Sequence, residues 1–219
     1  MKISINPDLK ANYPHVQLGC IFYSAEVKER NEELWQKIEG ETCPQLMALM
    51  ETANVTEIEN IAFSRQAYKA FGKDPGRYRV SSEALYRRIK QGKGLYKINT
   101  VVDVNNLISL ETGFSVGSYD LGQVAEQIEL RTGRAGESYQ GIGKESINIE
   151  NLPVLCDANG PFGSPTSDST QAMITLDSQN IVTIIYCFTP EADMAGILEK
   201  AAEQIKKYAG AYDLSSISI

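Results

Sequence analysis

The chain has 219 residues, 42% of them apolar, enough to bury one substantial core. Its formal net charge of −7 excludes indiscriminate nucleic-acid binding, which depends on neutralising phosphates, so any RNA contact is expected to be local. No apolar run approaches the ~18 residues that span a bilayer, and the opening Met1-Lys2-Ile3-Ser4 reads as a strand rather than a signal peptide.

Cys20, Cys43, Cys156 and Cys187 are scattered without C-x-x-C spacing, and His15 is the one histidine. They read as buried free thiols rather than zinc ligands or disulfides. The expectation is a single-domain cytoplasmic protein over residues 1–219, with no metal, no cofactor and no membrane partner.

Taken in order, residues 2–6 and 16–23 read as strands, the second placing Val16, Leu18, Cys20 and Phe22 on one face. Residues 29–51 have helical periodicity, with Leu34, Trp35 and Ile38 on one side, and Gly40 and Pro44 are expected to split them into two helices. Residues 57–71 read as a helix with an apolar face of Ile58, Ile61, Ala62, Ala67 and Phe71. Asp74-Pro75-Gly76 is then a turn, because Pro presets φ and Gly accepts a positive one.

Between Lys73 and Lys97, eight Lys and Arg face only Asp74 and Glu83, a local charge of +6 on an acidic chain. Clustered charge focuses anionic ligands, although a solvated helix face has the same composition. A helix here is expected to be capped by Ser81 or Ser82, with Leu85 and Ile89 inward, Arg87, Arg88 and Lys90 outward, and Gly92 as its stop. Residues 98–102 are β-prone, and Asp103 is expected to cap a helix over 104–112 that ends at Gly113. This gathers Asn99, Asp103 and Asn106 at a strand-to-helix junction, where such groups serve as caps or as site residues. Residues 113–120 read as a polar loop.

Beyond Asp120 the pattern turns to short strands with Gly-rich turns, at 127–131, 138–143, 146–149 and 152–156. Gly141-Ile142-Gly143 reads as a β-turn rather than a phosphate loop, since no helix follows. The loop 157–170 is rich in turn formers and hydroxyls, 172–176 and 181–188 read as a hairpin, 191–208 as a helix, and 217–219 as a final strand. Helices gather in the first half and strands in the second, which indicates an α+β fold.

Ile98-Asn99-Thr100-Val101-Val102-Asp103-Val104-Asn105-Asn106, then Leu110-Glu111-Thr112-Gly113 and Tyr119-Asp120, resembles the INxVVDVTN…LExG…(F/Y)D signature of the beta subunit of phenylalanyl-tRNA synthetase. Leu130-Arg131-Thr132-Gly133-Arg134-Ala135-Gly136-Glu137 is similar to that family's VRxAxxGE run, and residues 154–157 to its later V-x-x-D strand. The resemblance covers roughly residues 65–175 and is to the subunit's tRNA-editing module, its third and fourth structural domains, here as a free-standing protein. It implies a β-sandwich of uncommon topology flanked by helices.

The resemblance also implies a function: binding the aminoacylated end of tRNA, with the amino-acid moiety as ligand, and hydrolysis of mischarged aminoacyl-tRNA in trans by a positioned water without a protein nucleophile. Its pocket maps onto Asn99, Asp103, Asn106, Gly117, Ser118, Tyr119 and Asp120, with Ser164, Thr166, Ser167 and Asp168 from the later loop. Two positions depart from the family: Gly117 stands where it has a pocket histidine, and Gly163-Ser164-Pro165-Thr166 where it has a Gly-Gly-acid run. RNA contacts are expected from Arg77, Arg79, Arg87, Arg88, Lys90 and Lys93. A noncatalytic RNA-binding module and a small-molecule or amino-acid binding protein are the alternatives on the same scaffold, because function resides in the site.

Overall fold

In the computed structural model, which describes residues 1–143 and 145–219, two four-stranded sheets share one apolar interior. One sheet has the order β1 (Lys2–Ile5), β4 (Gln127–Thr132), β7 (Pro153–Asp157) and β8 (Gly160–Gly163), with β1 parallel to β4 and the other pairs antiparallel. The other, antiparallel throughout, has the order β10 (Tyr212–Ser218), β2 (Gln17–Ser24), β9 (Asn180–Cys187) and β3 (Ser115–Asp120). A ribbon of β5 (Ser138–Gln140) and β6 (Ser146–Asn148) forms a separate two-stranded sheet that packs against β7 through Tyr139 and Ile147.

The two central strands, β2 and β9, are apolar on both faces because both faces are covered, and alternation divides their side chains. Leu18, Cys20, Val182, Ile184 and Tyr186 meet Ile128, Leu130, Leu155 and Phe162 of the first sheet. Ile21, Tyr23, Ile181, Ile185 and Cys187 turn the other way, into a layer of helices. That layer contains α2 (Glu32–Lys37), α3 (Cys43–Thr52), α5 (Ser81–Lys90), α6 (Thr100–Thr112) and α7 (Met194–Ala209), while α1 (Pro7–Asn12) adds Leu9 to the sandwich interior and α4 (Glu59–Ala70), with its C-cap residue, adds Ala67 and Phe71. The fold is α+β.

Several expectations are corrected. The helical stretch 32–52 is not split at Gly40 and Pro44: a π turn, Ile38–Thr42, joins α2 to α3, and Pro44, which has no N–H to offer the preceding turn, sits directly after it in the first turn of α3. Residues 100–102 are the first turn of α6 rather than a strand. Asn99 is the N-cap, its Oδ1 accepting from Val101 N (3.1 Å) and Val102 N (2.9 Å), and this local capping overrides the β-propensity of the run. Asp103 is therefore inside the helix and does not cap it. Gly113 ends α6 with φ 75°, as expected of a left-handed C-cap.

Neither Ser81 nor Ser82 caps α5; Val80 occupies that position, and Ser82 is buried against Ser115. Residues 115–120 form β3 rather than a loop, their strand alternation disguised by Ser and Gly. Residues 172–176 form no strand, since β9 already has β2 and β3 as neighbours, and β8 arises inside the stretch read as the loop 157–170. The final strand extends over Tyr212–Ser218, longer than its last residues suggested.

Candidate functional site

Strand alternation divides the expected pocket residues of β3 between two layers. Ser118 faces the helices, where its Oγ donates to Asn105 Oδ1 (3.0 Å) and lies 2.6 Å from Thr183 Oγ1. Gly117 and Tyr119 face the sandwich interior. Tyr119 is fully buried, stacked edge-on to Phe162 with ring centroids 5.1 Å apart, and its hydroxyl donates to Asp168 Oδ1 at 2.7 Å. The Tyr186 hydroxyl lies 2.6 Å from Tyr119 Oη; because the Tyr119 proton is committed to Asp168, Tyr186 is the donor in that pair.

The later loop closes around the same carboxylate. Ser164 N–H donates to Asp168 Oδ1 (3.0 Å), and Ser164 Oγ accepts from Ser167 N (3.1 Å) and Thr166 N (3.3 Å). The Tyr139 hydroxyl lies between Ser164 Oγ (3.0 Å) and the Ser167 carbonyl, and Tyr68 Oη is 2.8 Å from Thr166 Oγ1. Asp168 is half-buried as a residue, and desolvation lifts its carboxyl to about 6 against the pull of the Tyr119 and Ser164 hydrogen bonds. Burial pushes the phenols of Tyr119, Tyr139 and Tyr186 up, so they remain neutral donors. The arrangement supplies one carboxylate that titrates near neutrality, in a ring of fixed hydroxyls.

Gly117, Tyr119, Ser164, Thr166, Ser167 and Asp168 thus come together, and the interior between their segments is filled by the Tyr119 and Phe162 rings. A Cβ at Gly117 would lie 2.5 Å from Tyr119 Oη and 3.3 Å from Asp168 Oδ2, so the missing side chain is what admits the phenol. Gly163 is crowded by the same ring.

The remaining expected pocket residues are elsewhere. Asn99 caps α6 and borders a cavity of about 500 Å³ with Lys97, Thr175 and Leu176. Asp103 is fully buried, accepting from Trp35 Nε1 (2.7 Å) and Ile98 N (3.0 Å), and desolvation raises its pKa. Asn106 is half-buried on α6, and Asp120 accepts from Gly122 N (2.9 Å) and Ser178 Oγ (2.7 Å), fixing the turn after β3.

Tyr68, Tyr139 and Tyr186 were not anticipated. The sequence carried one signal for them: 11 tyrosines against 6 phenylalanines, with Tyr186 inside the apolar run 181–188, and a buried phenol requires a partner.

The cationic stretch is partly neutralised from within. Glu83 has no exposed surface and accepts from Arg65 Nη1 (2.9 Å) and Arg87 Nε (2.8 Å), with Arg79 at 4.0 Å. Arg87 is accordingly a partner of a buried carboxylate rather than a free outward cation. Lys73 is also buried, donating to the Glu150 carbonyl and Asn148 Oδ1 and lying 3.8 Å from the Tyr78 ring centroid. Arg77, Lys90 and Lys93 are exposed, and Arg88 packs on Tyr96.

Residues 64–210 match the B3/4 domain. The chain belongs to the B3/4 domain family. Its family region runs from α4 to the end of α7 and contains both segments that meet at Asp168. This B3/4 protein is 29% identical over 111 residues to the phenylalanine–tRNA ligase beta subunit of Chromobacterium violaceum, covering 50% of this chain and 14% of that one. It is 36% identical over 74 residues to the same subunit of Nitrosospira multiformis, covering 32% and 9%. An N-terminal fragment of the phenylalanyl-tRNA synthetase beta-subunit from Pyrococcus horikoshii, solved by crystallography, superposes with a TM-score of 0.48 at 13% identity, over 99% of this chain and 53% of that one. The matched stretch is about one seventh of the Chromobacterium relative's length.

Among the described residues, no group of three or more His, Cys, Asp or Glu side chains is placed to hold a metal ion, and no helix is long and apolar enough to cross a membrane.

Proposed function

We propose that this B3/4 protein acts in the cytoplasm on the aminoacylated 3′ end of tRNA, hydrolysing mischarged aminoacyl-tRNA in trans. Water adds to the ester carbonyl, the bond from that carbon to the terminal ribose oxygen breaks, and the water's proton passes to that oxygen. Free amino acid and uncharged tRNA are released. The observation that carries the reading is the Tyr119–Asp168 contact, where two distant segments of the family region bring a carboxyl with a pKa of about 6 into a ring of hydroxyls. Such a carboxylate is ionised at neutral pH and is suited to holding the attacking water and taking its proton. The site contains no Ser-His or Cys-His pair, and positioning of water does not require one.

In this reading the exposed cations Arg77, Lys90 and Lys93, with Arg88, carry phosphate contacts. Affinity for tRNA then falls with salt, each contact contributing a slope of about 0.7 to 0.9. The test is deacylation of a panel of mischarged tRNAs by the wild-type chain and by Asp168→Asn, which keeps the Oδ1 acceptor and removes the charge. Hydrolysis of one substrate class that is lost in Asp168→Asn supports the reading; no deacylation of any substrate overturns it.

One observation favours a second reading. Glu83 holds Arg65 and Arg87 in ion pairs, so these two guanidiniums are fixed within the fold and are not free to follow a phosphate backbone, which suits a free amino acid as ligand better than a polyanion. Calorimetric binding of a free amino acid without tRNA affinity at low salt would select it.

A further inference from the structure

Helix α5 begins at the candidate site and ends at an exposed aromatic ring. Its Ser81 N–H donates to the Pro165 carbonyl at 2.7 Å, and Ser82 N–H to Ser115 Oγ at 3.3 Å, so its first turn is tied to both site segments. At 1.5 Å per residue, its last turn lies about 10–15 Å further on. There the Arg88 guanidinium carbon sits 4.0 Å from the centroid of the Tyr96 ring. Tyr96 is nevertheless 67% exposed, the most exposed large hydrophobic among the described residues. An unburied tyrosine, held by a cation on one side and open to solvent, is not explained by packing.

Arg88 is held in place, with Nη2 donating to the Lys93 carbonyl at 3.3 Å. Among the described residues it has no ion-pair partner, so its charge is not spent within the fold, unlike that of Arg87 on the same helix. Lys90, the last residue of α5, and Lys93, three residues before Tyr96 in the chain, are both exposed. Glu57 is an acidic group within electrostatic reach of Lys90, but its carboxyl is stabilised chiefly by hydrogen bonds from Asn54. The result is an aromatic face with a guanidinium stacked on it and two solvated ammonium groups, carried by the last turn of α5 and the segment that follows it.

We propose that Tyr96 and Arg88 form a stacking platform for an unpaired nucleotide, with Lys90 and Lys93 holding the adjoining phosphates. Every base has a π-face, so stacking of this kind binds single strands with little regard to sequence, and guanidinium adds a cation–π component. At a rise of about 3.4 Å per stacked nucleotide, the length of α5 corresponds to roughly three or four nucleotides. That is the length class of the unpaired 3′ end of a tRNA, so a strand stacked on Tyr96 and running back along α5 is long enough to bring its terminus to the helix start, where Ser81 is bonded to Pro165 of the site loop. The inference rests on the proposed function for the identity of the strand, though not for the platform itself.

The test uses a short single-stranded RNA carrying one 2-aminopurine, a blunt RNA duplex of the same length, and the wild-type, Tyr96→Ala and Tyr96→Phe chains. The expected result is single-strand binding with quenching of 2-aminopurine fluorescence, weakened roughly five- to 150-fold in Tyr96→Ala and nearly unchanged in Tyr96→Phe. Lys90→Ala with Lys93→Ala is expected to flatten the salt dependence without removing the quenching. Absence of single-strand binding, equal affinity for the duplex, or indifference to Tyr96→Ala overturns the platform. If the platform holds while no mischarged tRNA is deacylated, the hydrolytic reading fails and this one stands; if deacylation proceeds unchanged in Tyr96→Ala and the single strand is ignored, the reverse is true.

Discussion

The Tyr119 hydroxyl donates to Asp168 at 2.7 Å across 49 residues of sequence, and it occupies the space in which a side chain at position 117 would begin. The absence of a side chain at 117 and the inward phenol at 119 are coupled. The Gly117→Ala substitution is therefore expected to destabilise the protein by about 1–3 kcal/mol through overpacking against Tyr119. Removing the phenol oxygen in Gly117→Ala/Tyr119→Phe relieves part of that clash, so the two substitutions are expected to be non-additive in denaturant titrations. Additive costs would separate the two positions.

Asp168 gives a pH dependence with a definite sign. Its carboxyl is raised from 3.8 to about 6 in the folded chain, so the folded state holds the proton more tightly than the unfolded one. The stabilisation from that proton is complete below 3.8 and lost as pH rises through about 6. Relative to Asp168→Asn, the wild-type chain is expected to lose stability across that window and to run parallel to it at higher pH. Thermal or denaturant unfolding of both chains between pH 4 and 8 measures this. Deacylation, where present, is expected to rise through the same pKa as the carboxylate forms.

Glu83 is the buried anchor of the cationic stretch. Glu83→Gln is expected to cost on the order of 2–3 kcal/mol, below the range for fully buried pairs because the Arg65 and Arg87 side chains reach solvent. Arg87→Ala is expected to lower stability and, where RNA binds as proposed, to leave the salt slope of that binding unaltered, whereas Lys90→Ala lowers the slope and leaves stability unaltered. Unfolding curves and salt titrations of the two variants check this pairing, and the opposite pattern would return Arg87 to the proposed RNA contacts.

At the start of α6, the two polar residues carry different loads. Asn99→Ala removes the N-cap and is expected to cost about 1 kcal/mol. Asp103→Ala leaves Trp35 Nε1 and Ile98 N–H without their acceptor and is expected to cost more, about 1–3 kcal/mol for each group stranded in the interior. Equal costs in denaturant titrations would mean that Asp103 acts only locally.

The sequence by itself determined what depends on neighbouring residues and on spaced motifs: the central strands β2 and β9, the helix α4, the left-handed stop at Gly113, the α+β class and the family resemblance. Periodicity and turn chemistry act within a few residues, so they survive without coordinates. Tertiary structure decided which of the singled-out polar residues meet. Alternation along β3 sent Ser118 to the helices and Tyr119 to Asp168, and a strand written in Ser and Gly gives no hydrophobic period from which to read that split. Asn99 and Asp103, close in sequence, divided into a cap and a buried acceptor because Trp35, 68 residues from Asp103, supplies the donor. Tyr68, Tyr139 and Tyr186 joined the site for the same reason: a phenol's partner is set by which distant segment the packed sheets bring to it, and that is fixed only when the two faces close.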